Sequence, residues 1–342
     1  MKHKFGIIIG FIVAAVVVGL VYHAGRQRKP LVYEFIPTNT IDWITQLTTF
    51  NTVNISVVDK GPFNWDNEDD FGQESGTDWQ NVDTDPNFIV YYKNDAMHLN
   101  VQNARRVLQI ANEALPELQE LMGRYPYPED CNGRKLAIYI TSTPAEYQAT
   151  IDQLMGRRCN SAGSVGMFIC HIGQLGCRAD GIVLNPLCFD YETSPMNWAE
   201  TVLRHEMNHF VFFSSLDYGK EIDHPLWVAE GLAEFSAKPK GQVAGMDSIL
   251  FIRDNCDVLQ EFPRENNSEY WAGKSFYTFV EQVKGRRDLR VFIQDLYENH
   301  LKTALDLSFN DAGIVDSLWV STLLEPFATD STAVVPDEGL QE

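Results

Sequence analysis

The chain has 342 residues, with 47 Asp and Glu against 27 Lys and Arg and a formal net charge of -20. Such an excess of negative charge repels nucleic-acid phosphates and excludes DNA or RNA as a partner; no Gly-rich phosphate loop or dinucleotide fingerprint is present either. With the terminal segments set aside, roughly 230 to 290 residues remain, enough for one domain with a substantial core.

Residues 1–30 read as a membrane segment. Lys2 and Lys4 precede Phe5 to Tyr22, eighteen residues without a charge. At 1.5 Å per residue such a helix is about 27 Å long, near the thickness of a hydrocarbon core. The Tyr22-His23-Ala24 end matches a small-x-small cleavage site poorly, so an uncleaved anchor is favoured over a signal peptide. Lys2 and Lys4 on one side and Arg26, Arg28 and Lys29 on the other nearly cancel, and charge leaves the orientation open.

Residues 31–86 read as an acidic stalk or linker. No Lys or Arg occurs between Lys60 and Lys93, while Asp66, Glu68, Asp69, Asp70, Glu74, Asp78, Asp83 and Asp85 accumulate. A calcium loop lacks its ligand spacing here, and a solvated linker is the expectation. Asn87 to Lys93 then predicts the first strand of the folded unit, Val101 to Arg124 an amphipathic helix, and Lys135 to Thr141 a strand.

Cys159, Cys170, Cys177 and Cys188 crowd a Gly-rich region, with Cys131 and Cys256 outside it. A structural zinc site using these and His171 is one reading, but no C-x-x-C pair is present. Disulfides, and with them an oxidising compartment, are preferred. Asp180 to Pro186 predicts a short apolar strand.

The segment Arg204-His205-Glu206-Met207-Asn208-His209 is an HExxH. On a helix His205 and His209 fall one turn apart on the same face, so both imidazoles reach one ion with Glu206 beside it. Trp198, Val202, Leu203, Met207, Phe210, Val211 and Phe212 make this helix apolar nearly all round, and a buried helix does not leave two His and a Glu without a partner. A third zinc ligand is expected on another element. Leu226 to Phe235, opened by His224-Pro225 and followed by Pro239, predicts a second apolar helix carrying Glu230 and Glu234 on one face.

HExxH followed by W-x-x-E-G-x-A-E resembles the gluzincin metallopeptidases, among them thermolysin, the aminopeptidase N group, bacterial collagenases and proteins with a peptidase MA-like domain. The resemblance covers about residues 87–325 and implies an α+β, two-lobed thermolysin-like unit holding one catalytic zinc ion. It implies His205, His209 and Glu230 as ligands, Glu206 as general base, and Glu234 as the carboxylate that holds the His205 imidazole, which fixes its tautomer. Gly231 would let the two ligand helices approach closely. Glu269-Tyr270-Trp271-Ala272-Gly273 resembles the opening of the helix that carries the family's oxyanion-stabilising tyrosine, so Tyr270 is the candidate donor. The strand containing Gly181, Ile182, Val183 and Leu184 is expected either to pair with an extended substrate as a sheet edge or to be a plain strand.

The expected activity is hydrolysis of peptide bonds in a peptide or protein substrate. No G-x-M-x-N segment of the aminopeptidase relatives precedes the HExxH, so an endopeptidase is favoured. The spacer between His209 and Glu230 is longer than in the aminopeptidases, and Asn208 replaces a commoner small residue or Thr. Neither departure removes a catalytic group. The alternative is a catalytically silent relative that binds peptides or partners. Gly273 to Val283, Asp288 to Leu301 and Ser308 to Leu324 are helical by period, residues 326–342 read as a disordered tail, and nothing indicates the oligomeric state.

Overall fold

The computed structural model describes residues 56–57, 79–93, 99–123, 135–159, 161, 164–173, 176–189, 198–220, 222–237, 245–264 and 267–330. The segment read as a membrane anchor lies outside them, as do residues 331–342. No helix among the described residues is long and apolar enough to cross a membrane.

The described residues form a mixed α/β structure. Strands β1 (Ser56–Val57), β2 (Trp79–Val82), β3 (Phe88–Lys93), β4 (Leu136–Ile140), β5 (Gly166–Gly173) and β6 (Gly176–Leu184) make one six-stranded sheet in the order β1-β5-β6-β4-β3-β2. β3, β4 and β6 run parallel, β2 and β5 run antiparallel to their long neighbours, and β1 is parallel to β5. β1 and β2 come from the acidic segment 31–86, so part of that segment is in the sheet and the expected first strand is its third.

Helix α1 (Leu99–Met122) connects β3 to β4, α2 (Pro144–Met155) follows β4, and α3 (Trp198–Ser215) follows β6. The strands alternate: Leu136, Ile138, Ile140, Phe168, Ile182 and Leu184 face the main core with α1 and α3, whereas Met167, Ile169 and Val183 face a smaller cluster with Tyr147, Ile151 and Met155 of α2. Helix α2 starts on a Thr143 cap whose hydroxyl accepts from Glu146 N–H at 3.1 Å and ends at Gly156 in the left-handed conformation.

The C-terminal half is helical: α4 (Leu226–Ala237), α5 (Met246–Asn255), α6 (Ser268–Lys284), α7 (Arg286–Glu298), α8 (Leu301–Phe309) and α9 (Val315–Asp330). The period-based helix over Ser308–Leu324 is broken, because Asn310 takes a left-handed conformation and a 3-10 turn intervenes at Ala312–Ile314. α9 runs past Pro326 into the stretch read as tail. An aromatic cluster built on Trp227, Phe262, Phe276 and Trp319 ties α4, α6 and α9 together; the Trp227 and Phe262 rings stack at 4.7 Å between centroids.

Candidate metal centre

The site forms where α3, α4 and α6 meet beneath β5. α3 is held to the sheet by Phe210, whose ring lies 6.0 Å from that of Phe168, and it buries Val202, Leu203, Met207, Val211 and Phe212. That burial turns His205, Glu206 and His209 inward, at 4%, 0% and 0% exposure. α4 is buried from Trp227 to Phe235, which leaves Glu230 and Glu234 no route to water.

The three expected ligand atoms converge. His209 Nε2 is 3.0 Å from His205 Nε2 and 3.4 Å from Glu230 Oε2, and His205 Nε2 is 3.2 Å from the same oxygen. A tetrahedral zinc ion with bonds of about 2.0–2.1 Å sets its ligands about 3.3 Å apart, so the triangle has the dimensions of three corners of a zinc tetrahedron. Two imidazole nitrogens and a carboxylate oxygen facing one point also need a cation between their lone pairs. The residues present fit zinc, and among the described residues no other cluster brings three such donors together.

The surroundings match a ligand set. His205 Nδ1 lies 3.4 Å from Glu234 Oε1, so the far side of that ring faces a carboxylate that orients it. Burial works against a charged imidazole at His205, but hydrogen bonds to Glu230 and Glu234 outweigh it and carry the ring up to about 10. Burial likewise opposes the Glu230 carboxylate, and the two imidazoles, His209 foremost, hold it below its usual range. At His209 burial prevails and lowers the ring. Asn208 Nδ2 donates to Ser236 Oγ at 2.9 Å, pinning α3 to α4 one residue from a ligand.

Glu206 is held from the other side. Its Oε2 accepts the Phe168 backbone N–H at 2.7 Å, while Oε1 is buried with no partner among the described residues. Burial pushes this carboxyl up to about 8. Gly166 makes the fit possible, since a Cβ there would lie 2.5 Å from Val202 Cγ1 and 2.8 Å from Glu206 Oε1. Gly166 and Phe168 were not legible as site residues. Their only signal is a glycine opening an apolar run in the Gly-rich region, whose nearness to α3 is a tertiary fact.

Tyr270 joins the site: its ring lies near-parallel to that of His205, with centroids 6.1 Å apart. The close approach expected at Gly231 between the two ligand helices is made instead between α4 and α6. A Cβ on Gly231 would come within 2.5 Å of Gly273 Cα, and one on Gly273 within 2.7 Å of Gly231 Cα. This contact sets the height of Tyr270 beside Glu230. Glu269, also missed in the sequence, is 1% exposed, and beyond its own backbone N–H its carboxylate has no hydrogen-bond partner among the described residues. Burial pushes it up to about 7.

The strand carrying Gly181, Ile182, Val183 and Leu184 is not an edge. β6 lies between β5 and β4, with Ile182 opposite both Phe168 and Ile138 and Val183 opposite both Met167 and Tyr139. Its backbone groups are used in the sheet and are not open to a peptide. The strand beside Glu206 is β5, which β1 meets at Ile169 and Cys170 among the described residues.

The cysteine expectation also changes. No disulfide joins Cys159, Cys170, Cys177, Cys188 or Cys256; Cys131 lies outside the described residues. Cys188 donates to the Val165 carbonyl at 2.8 Å, and burial raises its thiol. His171, considered with the cysteines as a second zinc site, is hydrogen-bonded through Nδ1 to Asp180, which also pairs with Arg178 at 2.7 Å. No family model matches the chain, and no curated protein matches it significantly.

Proposed function

We propose that the chain is a zinc metallopeptidase of the gluzincin type, with a two-lobed catalytic unit anchored to a membrane through Phe5–Tyr22, and that it cleaves internal peptide bonds. The observation that carries this reading is the ligand triangle of His205, His209 and Glu230, with Glu206 beside it and Tyr270 against the His205 ring. Zinc bound there supplies Lewis acidity and an activated water.

The chain's own residues do the rest. Glu206 is oriented through one oxygen by Phe168 N–H, which leaves the other to take a proton and pass it to the leaving nitrogen. Tyr270 donates its hydroxyl to the oxyanion of the tetrahedral intermediate. Glu234 keeps the His205 ring in the orientation that presents Nε2 to the ion. Gly166–Phe168 is the strand segment alongside which an extended substrate is read, in place of β6. On this reading the catalytic unit faces away from the cytoplasm, which protease protection in sealed vesicles tests.

The deciding experiment compares zinc content and hydrolysis of an unfolded protein by the wild type and Glu206→Gln. One zinc per chain in both, with chelator-sensitive cleavage that falls about 10²- to 10⁴-fold in the variant, supports the reading. Undiminished cleavage by the variant overturns the role of Glu206, and absence of zinc overturns the site.

A further inference from the structure

The mechanism leaves one buried group beside the metal centre unused, and this is Glu269. It is 1% exposed, as buried as His205, His209 and Glu230. Its carboxylate oxygens are buried with no hydrogen-bond partner among the described residues beyond its own backbone N–H. Nearly all buried polar groups in folded proteins are satisfied, and a buried carboxylate without a side-chain partner has room for a ligand's hydrogen bonds.

Its place on α6 points it toward the site. Glu269 and Gly273 lie four apart and share a helix face, and Gly273 is the residue in contact with Gly231, next in the chain to Glu230. The neighbouring Tyr270 lies against the His205 ring. The Glu230 carboxylate is close enough to interact with Glu269 electrostatically, more strongly than the Arg264 guanidinium does. Glu269 is therefore an acidic group one helical turn from the α4–α6 contact, with Arg264 acting on it more weakly than Glu230 does.

We propose that Glu269 is the acidic end of a specificity subsite that binds a protonated nitrogen of the substrate, either the side chain of a lysine or arginine flanking the scissile bond or a free amino terminus. A substrate cation would supply the two hydrogen bonds the carboxylate lacks, and a neutral group in its place would leave the buried charge unpaired. The proposal rests on the peptidase reading for the identity of its ligand, but the subsite is read from burial and the α4–α6 geometry. Glu269 is neither a metal ligand nor a proton-transfer group.

The test uses the full chain loaded with zinc and three peptides of one sequence. The first is blocked at both ends with a central lysine, the second is the same with norleucine, and the third has the norleucine with a free amino terminus. kcat/KM is measured for the wild type and Glu269→Gln, and peptide affinity by calorimetry for Glu206→Gln with and without Glu269→Gln. The expected result is a preference of the wild type on the order of 100-fold for a cationic peptide over the blocked norleucine peptide. Glu269→Gln should lose that preference, and the affinities should shift in parallel.

A preference confined to the lysine peptide assigns the side chain as the ligand; one confined to the free amino terminus assigns an aminopeptidase-like subsite. Equal cleavage of all three peptides, or a cation preference that survives Glu269→Gln, overturns the subsite and leaves the peptidase standing. Binding of a cationic peptide through Glu269 with no cleavage of any peptide overturns the peptidase and leaves the subsite. As a control on folding, Glu269→Gln should melt no lower than the wild type, because it removes an unpaired buried charge.

Discussion

At the scale of single residues, the site is a set of buried charges that satisfy one another only in part. Glu234 contributes through His205, so Glu234→Gln should retain the fold and lower zinc affinity about 10- to 100-fold in a competition with a chromophoric chelator. Glu269 gives a pH signature in the chelated protein. Burial raises its carboxyl from 4.5 to about 7, so the folded state holds a proton that the unfolded chain releases. That contribution to stability is present in full below pH 4.5 and lost as the pH rises through about 7. The stability of wild type relative to Glu269→Gln should fall by on the order of 3 kcal/mol over this window, measured by denaturant titration at each pH. A difference that is flat with pH would show that Glu269 titrates normally.

At the scale of elements, two helix pairs carry the geometry. α3 and α4 bring the ligands together, and the Asn208 to Ser236 hydrogen bond fixes their relative rotation. α4 and α6 touch through Gly231 and Gly273, and the Tyr277 hydroxyl donates to the Val228 carbonyl at 2.9 Å on the same contact. Gly231→Ala should push α6 away, with a loss of about 1–3 kcal/mol in unfolding free energy from overpacking. It should also lower kcat more than zinc occupancy, since Tyr270 moves with α6 while the ligands sit on α3 and α4. The HExxH helix and the Glu230 helix were legible because both rest on a spacing of four within one segment, which fixes a shared face wherever the helix packs. The interior position of β6 was not legible, because the edge of a sheet depends on which distant strand lies alongside. β5 and β4 supply those neighbours, from residues 166–173 and 136–140.

At the scale of the whole molecule, one core runs from the sheet through α3 into the helices of the C-terminal half, so metal binding and global stability are linked. Removing zinc with a chelator should lower the melting temperature, and restoring it at about a thousandfold excess over its Kd should return about 4 kcal/mol. An unchanged melting curve would mean that the triangle of His205, His209 and Glu230 holds no ion. The sequence by itself singled out the three residues that could hold an ion, the order of the elements that carry them and the apolar character of both helices, because these follow from local periodicity and residue chemistry. Only the tertiary structure decided that β5 rather than β6 lies beside Glu206, that Gly231 meets Gly273, and that Glu269 is buried with no side-chain hydrogen-bond partner among the described residues. Each of these depends on which surfaces remote in the chain come into contact, and the burial of a side chain is a property of its neighbours rather than of its own segment.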